Sequence, residues 1–137
     1  MKIMAVDLGQ VRTGLAISDE TEFLAAPIGT VTERDRERLL HYVSDTARQH
    51  AAAKIVVGLP KNMDGTQGES AQNATAFAEA LKEATGLPVV LWDERLTTAS
   101  AIGFLNETNV RGKKRKAVVD TVSAVIILQD YLDSNRR

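Results

Sequence analysis

The run KIMAVDL at residues 2–8 is apolar except at Lys2 and Asp7 and reads as a strand. Ile3, Ala5 and Asp7 point one way and Met4, Val6 and Leu8 the other. Apolar residues on both faces predict a central strand. TGLAISD, 13–19, predicts a second strand. The short connection between the two predicts an antiparallel hairpin, with Gly9 and Gly14 permitting a close turn. PIGTVT, 27–32, predicts a weaker third strand, with Pro27 at its start.

The pattern then changes period. Leu39, Leu40, Val43 and Ala47 form a stripe that predicts a helix over about 33–50, with Thr32 and Asp35 as a capping-box start. AKIVVGLP, 53–60, predicts a buried strand, followed by a polar loop with a turn at Asp64-Gly65. Ala71, Ala74, Ala78 and Leu81 set the packing face of a second helix over 70–85, stopped by Gly86 and Pro88. PVVLW, 88–92, predicts a fifth strand, and a helix over 97–107 capped by Thr97 follows. NVRGKKRK is expected as a basic loop before a last helix at about 116–133. Three meandering strands followed by two helical crossovers predict an α/β fold: a five-stranded mixed sheet, the first three strands antiparallel, with helices on both faces.

Length adds that 1–137 fits a single domain, since a chain of this size buries roughly 68% of its unfolded surface. Hydrophobic residues at 44% and charged residues at 26% are ordinary for a globular protein. The absence of cysteine excludes disulfides and thiolate zinc sites. No apolar run approaches the roughly 20 residues of a membrane span, and an aspartate interrupts the first apolar run too early for a signal peptide. The expected location is cytoplasmic, with no membrane partner.

Net charge is −1, which makes no global case for a nucleic-acid binder. The distribution does make a local one. RGKKRK at 111–116 holds Arg111, Lys113, Lys114, Arg115 and Lys116, a patch suited to phosphates. A solvated loop is the bland alternative, and a cation at a helix N-terminus works against the helix dipole.

Three acidic positions are poorly explained by solvation. Asp7 ends a central strand, Asp93 or Glu94 ends the last one, and Asp120 borders the buried stripe of the final helix, near Ala124, Ile127 and Tyr131. Small neighbours at 117, 123 and 124 would let that helix approach the sheet closely. Converging carboxylates repel unless a cation lies among them, and hard ions such as Mg²⁺ and Mn²⁺ prefer oxygen. Three acids would suit two ions about 4 Å apart, the arrangement for in-line phosphodiester displacement. Taken singly, each acid has an ordinary reading as a turn former, loop residue or surface residue.

Four segments in order carry a resemblance: DLGQVRTG at 7–14, VVGLPKNMDGT at 56–66, WDERLTT at 92–98 and KAVVDTVSAVIIL at 116–128. The chain resembles the YqgF (RuvX) family, described both as pre-16S rRNA nucleases and as Holliday-junction-resolvase-like, over almost its whole length. The resemblance implies a ribonuclease H-like fold and a catalytic, metal-binding triad of Asp7, Glu94 and Asp120, and so chooses Glu94 over Asp93. It implies a metal-dependent endonuclease using Mg²⁺ or Mn²⁺ in a two-metal site and acting at the 5′ end of pre-16S ribosomal RNA. Ser123 departs from the alanine that many relatives carry.

Arg12 in the hairpin, Lys61 and Asn62 after the fourth strand, and Arg95 are expected to join the basic run in contacting nucleic acid. The partner is precursor ribosomal RNA or branched DNA, and the protein is expected to be a monomer or a weak homodimer. Rival readings are a four-way DNA resolvase, a noncatalytic nucleic-acid-binding module, and a phosphate-binding hairpin of the actin and hexokinase type. The last lacks room for a second domain. His41 and His50 read as surface residues. Trp92, Tyr131 and the phenylalanines read as core, and 4% aromatic content argues against recognition dominated by base stacking.

Overall fold

The computed structural model describes residues 1–59, 68–93 and 112–135, with the side chains of 112–121 excepted. Five strands form one sheet: β1 (Lys2–Asp7), β2 (Arg12–Ser18), β3 (Ala25–Thr32), β4 (Ala52–Leu59) and β5 (Val89–Asp93). Their order across the sheet is β3-β2-β1-β4-β5. β1 runs antiparallel to β2, and β2 to β3, whereas β4 lies parallel to both β1 and β5. The mixed sheet with its antiparallel start is the one the alternation predicts. β1 is central because it is apolar on both faces.

The helices divide between those faces. α1 (Arg36–Gln49) and α2 (Glu69–Thr85) cover one, and α3 (Gly112–Asn135) covers the other. Under α1 and α2 lie Met4, Val6, Leu15, Ile55 and Val57 with Leu39, Val43, Ala74, Phe77 and Leu81. Under α3 lie Ile3, Ala5, Ala16 and Val56 with Ala124, Ile127, Leu128, Tyr131 and Leu132. Each fully buried leucine or isoleucine stabilises the fold by roughly 1.5–3 kcal/mol. Ala5, Ala16 and Ala124 are wholly buried on the α3 side. Their small side chains let helix and sheet approach closely.

Several element ends differ from the sequence expectation. α1 starts at Arg36 with Asp35 as N-cap, its carboxylate accepting from the amides of Glu37 and Arg38. Thr32 instead ends β3, opposite Arg12. Its branched side chain suits a strand, and residues 33–35 are needed to turn the chain into the helix. Pro27 sits inside β3 rather than at its start, opposite Ala16 and beside a register shift. Proline is tolerated there because β3 is an edge strand. The basic run is not a loop throughout: residues 112–116 belong to α3. Lysine and arginine are good helix formers, and nothing after Gly112 interrupts them. α2 ends as expected at Gly86, whose φ of 69° gives a left-handed cap. The expected helix over 97–107 lies outside the described residues.

Phe77 and Tyr131 are core residues, and Trp92 is half-buried. Phe23 is 55% exposed in the β2–β3 turn, against the expectation that the phenylalanines are core. That turn is built around Asp19, whose side chain accepts from the Phe23 and Leu24 amides and the Thr21 hydroxyl. The backbone geometry turns the following residues outward. His41 is exposed, and His50 is half-buried at the C-cap of α1. No helix among the described residues is long and apolar enough to cross a membrane.

Candidate active site

Asp7 is the last residue of β1, half-buried, and its neighbour across the antiparallel ladder is Gly14. Strands on both sides of β1 fix its backbone. Because Ile3 and Ala5 belong to the α3-side core, alternation assigns Asp7 to that same face. The carboxylate therefore rises from the end of the central strand, on the side that α3 covers.

The loop after Asp7 is held from three directions. The Gly9 amide donates to the buried Thr13 hydroxyl oxygen at 3.4 Å. The Arg36 guanidinium, from the first turn of α1, donates to the Gly9 carbonyl at 3.0 Å. The Glu33 amide donates to the Val11 carbonyl at 2.8 Å. A Cβ on Gly9 would lie 2.0 Å from the Arg12 carbonyl oxygen, so no other residue fits this turn without backbone movement. Arg12 opens β2 at this same end of the sheet, half-buried opposite Thr32. The short hairpin thus keeps Arg12 beside the end of the strand that carries Asp7.

The parallel strands β1, β4 and β5 finish at this edge, at Asp7, Leu59 and Asp93. With one strand between them, the ends of β1 and β5 lie about 10 Å apart. Asp93 is not on the Asp7 face. Val90 and Trp92 pack on the α3 side, whereas Val89 packs on the other, so alternation sends Asp93 away from Asp7. Glu94, Arg95, Lys61, Asn62 and Arg111 lie outside the described residues. Lys113, Lys114, Arg115, Lys116 and Asp120 lie in α3, with side chains outside them. Position 120 is one turn before Ala124, on the stripe that continues through Ile127 and Tyr131. Among the described residues no three acidic or histidine side chains gather as a metal site.

Two contacts beside the site had no signature in the sequence. One is the Arg36 bond to Gly9, across 27 positions. The other is a bond from the Trp92 indole N–H to Asp130 at 3.0 Å, across 38 positions. A basic residue just inside a helix start, or an acid on a mixed helix, is too common to flag either.

The chain and its fold have relatives. A family model described as "RuvX: Holliday junction resolvase" matches residues 1–134. The chain belongs to the RuvX family. It is 44% identical over 136 residues to a protein of Listeria monocytogenes serotype 4b named "Putative pre-16S rRNA nuclease", covering 98% of this chain and 99% of that one. Among solved structures, this RuvX family member shares its fold with the fowlpox virus resolvase in complex with Holliday junction DNA. That match has a TM-score of 0.63 at 14% identity, over 100% of both chains. T. thermophilus RuvC in complex with a Holliday junction substrate gives a TM-score of 0.60 at 13% identity, over 99% of this chain and 96% of that one. The ribonuclease H-like, resolvase type of sheet expected from the four motifs is thus the fold of this RuvX chain.

Proposed function

We propose that this RuvX family member is a metal-dependent endonuclease that hydrolyses phosphodiester bonds in 5′-end maturation of pre-16S ribosomal RNA. One observation carries the reading. Asp7 stands at the end of the central strand, on the face beneath α3, with a three-point-anchored hairpin beside it. The relatives' name supports the substrate class.

Asp7, Glu94 and Asp120 would hold the metal. An all-carboxylate donor set fits Mg²⁺ or Mn²⁺, and the half-buried place of Asp7 gives one donor a fixed position. The resemblance implies Glu94 rather than Asp93, and the opposed faces of Asp7 and Asp93 are in keeping with that choice. Such ions, when bound, lower the pKa of water and offset charge on the leaving oxygen. The chain's own part is placement. Strand pairing holds Asp7 in place, and the hairpin presents Arg12 to a phosphate. Lys61, Asn62, Arg95, Arg111, Lys113, Lys114, Arg115 and Lys116 grip the nucleic-acid backbone by charge and hydrogen bonding.

Cleavage of four-way DNA is the second reading, favoured by the description of the matching family. A single assay separates the two: 5′-extended 16S RNA and a four-way DNA junction, side by side, with Mn²⁺ or with chelator. The expected result is Mn²⁺-dependent RNA cleavage that Asp7→Asn abolishes while the variant keeps its fold. Cleavage of the junction alone would select the second reading. Full activity in chelator, or in Asp7→Asn, would reject both.

A further inference from the structure

β5 lies at the sheet edge, bonded on one side to β4. α3 crosses the opposite part of the sheet, over β1, β2 and β3, and barely touches β4. β5, which ends at Asp93, and α3, which carries position 120, are therefore not packed together along their backbones. A side chain of β5 reaches across to α3 with directional contacts. Trp92, the only tryptophan of the chain, meets Tyr131 edge-to-face, with ring centroids 5.4 Å apart and planes at 84°. Its indole N–H donates to Asp130 Oδ2 at 3.0 Å. The Lys54 ammonium of β4 lies 5.1 Å from the centre of the Tyr131 ring, bracing the same ring from the sheet.

We propose that Trp92 and Asp130 form a clamp that fixes α3 against β5, making both positioning residues for the proposed active site. Trp92 comes two residues before Glu94, and Asp130 ten residues after Asp120. Ten helical residues span about 15 Å. A swing of α3 by about 4° around the clamp carries position 120 about 1 Å, and displacements of that size cost up to about 100-fold in rate. The ring contact alone tolerates rotation. The hydrogen bond is directional and removes that freedom. The clamp rests on the nuclease reading for its catalytic consequence, though not for its mechanical one.

The variants separate the two bonding elements. Trp92→Phe keeps a ring and loses the donor, Asp130→Ala loses the acceptor, and Asp130→Asn keeps one. The chain has no cysteine, so spin labels on Leu91→Cys of β5 and Asn135→Cys of α3 read the distance between the elements without interference. In Asp130→Ala and Trp92→Phe the distance distribution is expected to broaden. In the same two variants, kcat on 5′-extended 16S RNA with Mn²⁺ falls about tenfold while KM holds. The double variant is expected to be no worse than either single one, and Asp130→Asn to match the parent in both readouts. An unchanged distribution in folded Asp130→Ala would overturn the clamp, as would a kcat loss that Asp130→Asn fails to restore. Absence of cleavage by the parent protein would refute the nuclease reading, and the spin labels would still decide whether the clamp exists.

Discussion

The Arg36 guanidinium donates to the carbonyl oxygen of Gly9 at 3.0 Å, so the first turn of α1 pins the loop that leaves Asp7. A bond from a charged donor to a part-buried carbonyl contributes roughly 1.5–3 kcal/mol. Arg36→Ala is expected to lose about that much stability in urea unfolding and to lower kcat more than it raises KM. Arg36→Lys, which keeps charge without the planar fork, falls between. Parent-like stability and turnover in Arg36→Ala would show that the other anchors of the loop suffice.

Gly9→Ala should be worse than its size suggests. The added methyl meets the Arg12 carbonyl at 2.0 Å, and that atom is backbone, so the hairpin itself must move. A loss of about 1–3 kcal/mol is expected, with amide shifts in NMR spectra concentrated at residues 7–14. Unchanged shifts there would mean that the turn accommodates a side chain.

Neutralising Lys113, Lys114 and Arg115 together tests the start of α3. If these residues meet phosphates, the variant binds 5′-extended 16S RNA more weakly, and log Kd varies less steeply with log salt by about two to three charges. An unchanged slope would remove this segment from the interface. Loss of three cations from the positive end of a helix also favours the helix slightly, so the variant should melt no earlier than the parent.

Ser44 lies on the buried face of α1, and its hydroxyl is the one buried side-chain polar atom among the described residues with no hydrogen-bond partner. Burying an unsatisfied hydroxyl costs about 1–3 kcal/mol, and alanine is the better helix former. Ser44→Ala should therefore raise the midpoint of thermal unfolding, with no effect on cleavage. A lower midpoint would mean that the hydroxyl has a partner in solution.

The Thr21 hydroxyl, first among its causes, and then the Phe23 and Leu24 amides hold the exposed Asp19 carboxyl below its ordinary pKa. The folded state thus favours the charged form. Its contribution is present above the unfolded pKa, about 3.9, and is lost as pH falls through the lower folded value. Asp19→Ala is expected to melt earlier than the parent near neutral pH, with the gap closing in strong acid. A gap that is constant with pH would assign the loss to geometry and not to charge.

What the sequence made legible was whatever has a local period. The two faces of β1 separate into the two cores as alternation predicts, and Ala71, Ala74, Ala78 and Leu81 do form the buried face of α2. Asp7 could be assigned to its face for the same reason. Boundaries were less legible, because Thr32 suits a helix cap and a strand end equally well. Local sequence gives no signal of whether a basic run stays in a loop or joins the next helix. Phe23 shows the converse, since hydrophobicity alone does not disclose that a turn built on Asp19 faces outward. Contacts that join distant segments, Gly9 to Arg36 and Trp92 to Asp130, were not legible at all. They depend on the order of strands across the sheet, which no single segment encodes.

Pro27 has a bearing on crowded solutions as well as on the fold. It stands in the outermost strand, at a place where the ladder slips by one residue. An incoming extended chain that tried to zip onto this border would find a missing amide proton and a twist it could not follow. Pairing of a further strand onto β3 is disfavoured at this point, so a single ring works against edge-to-edge aggregation.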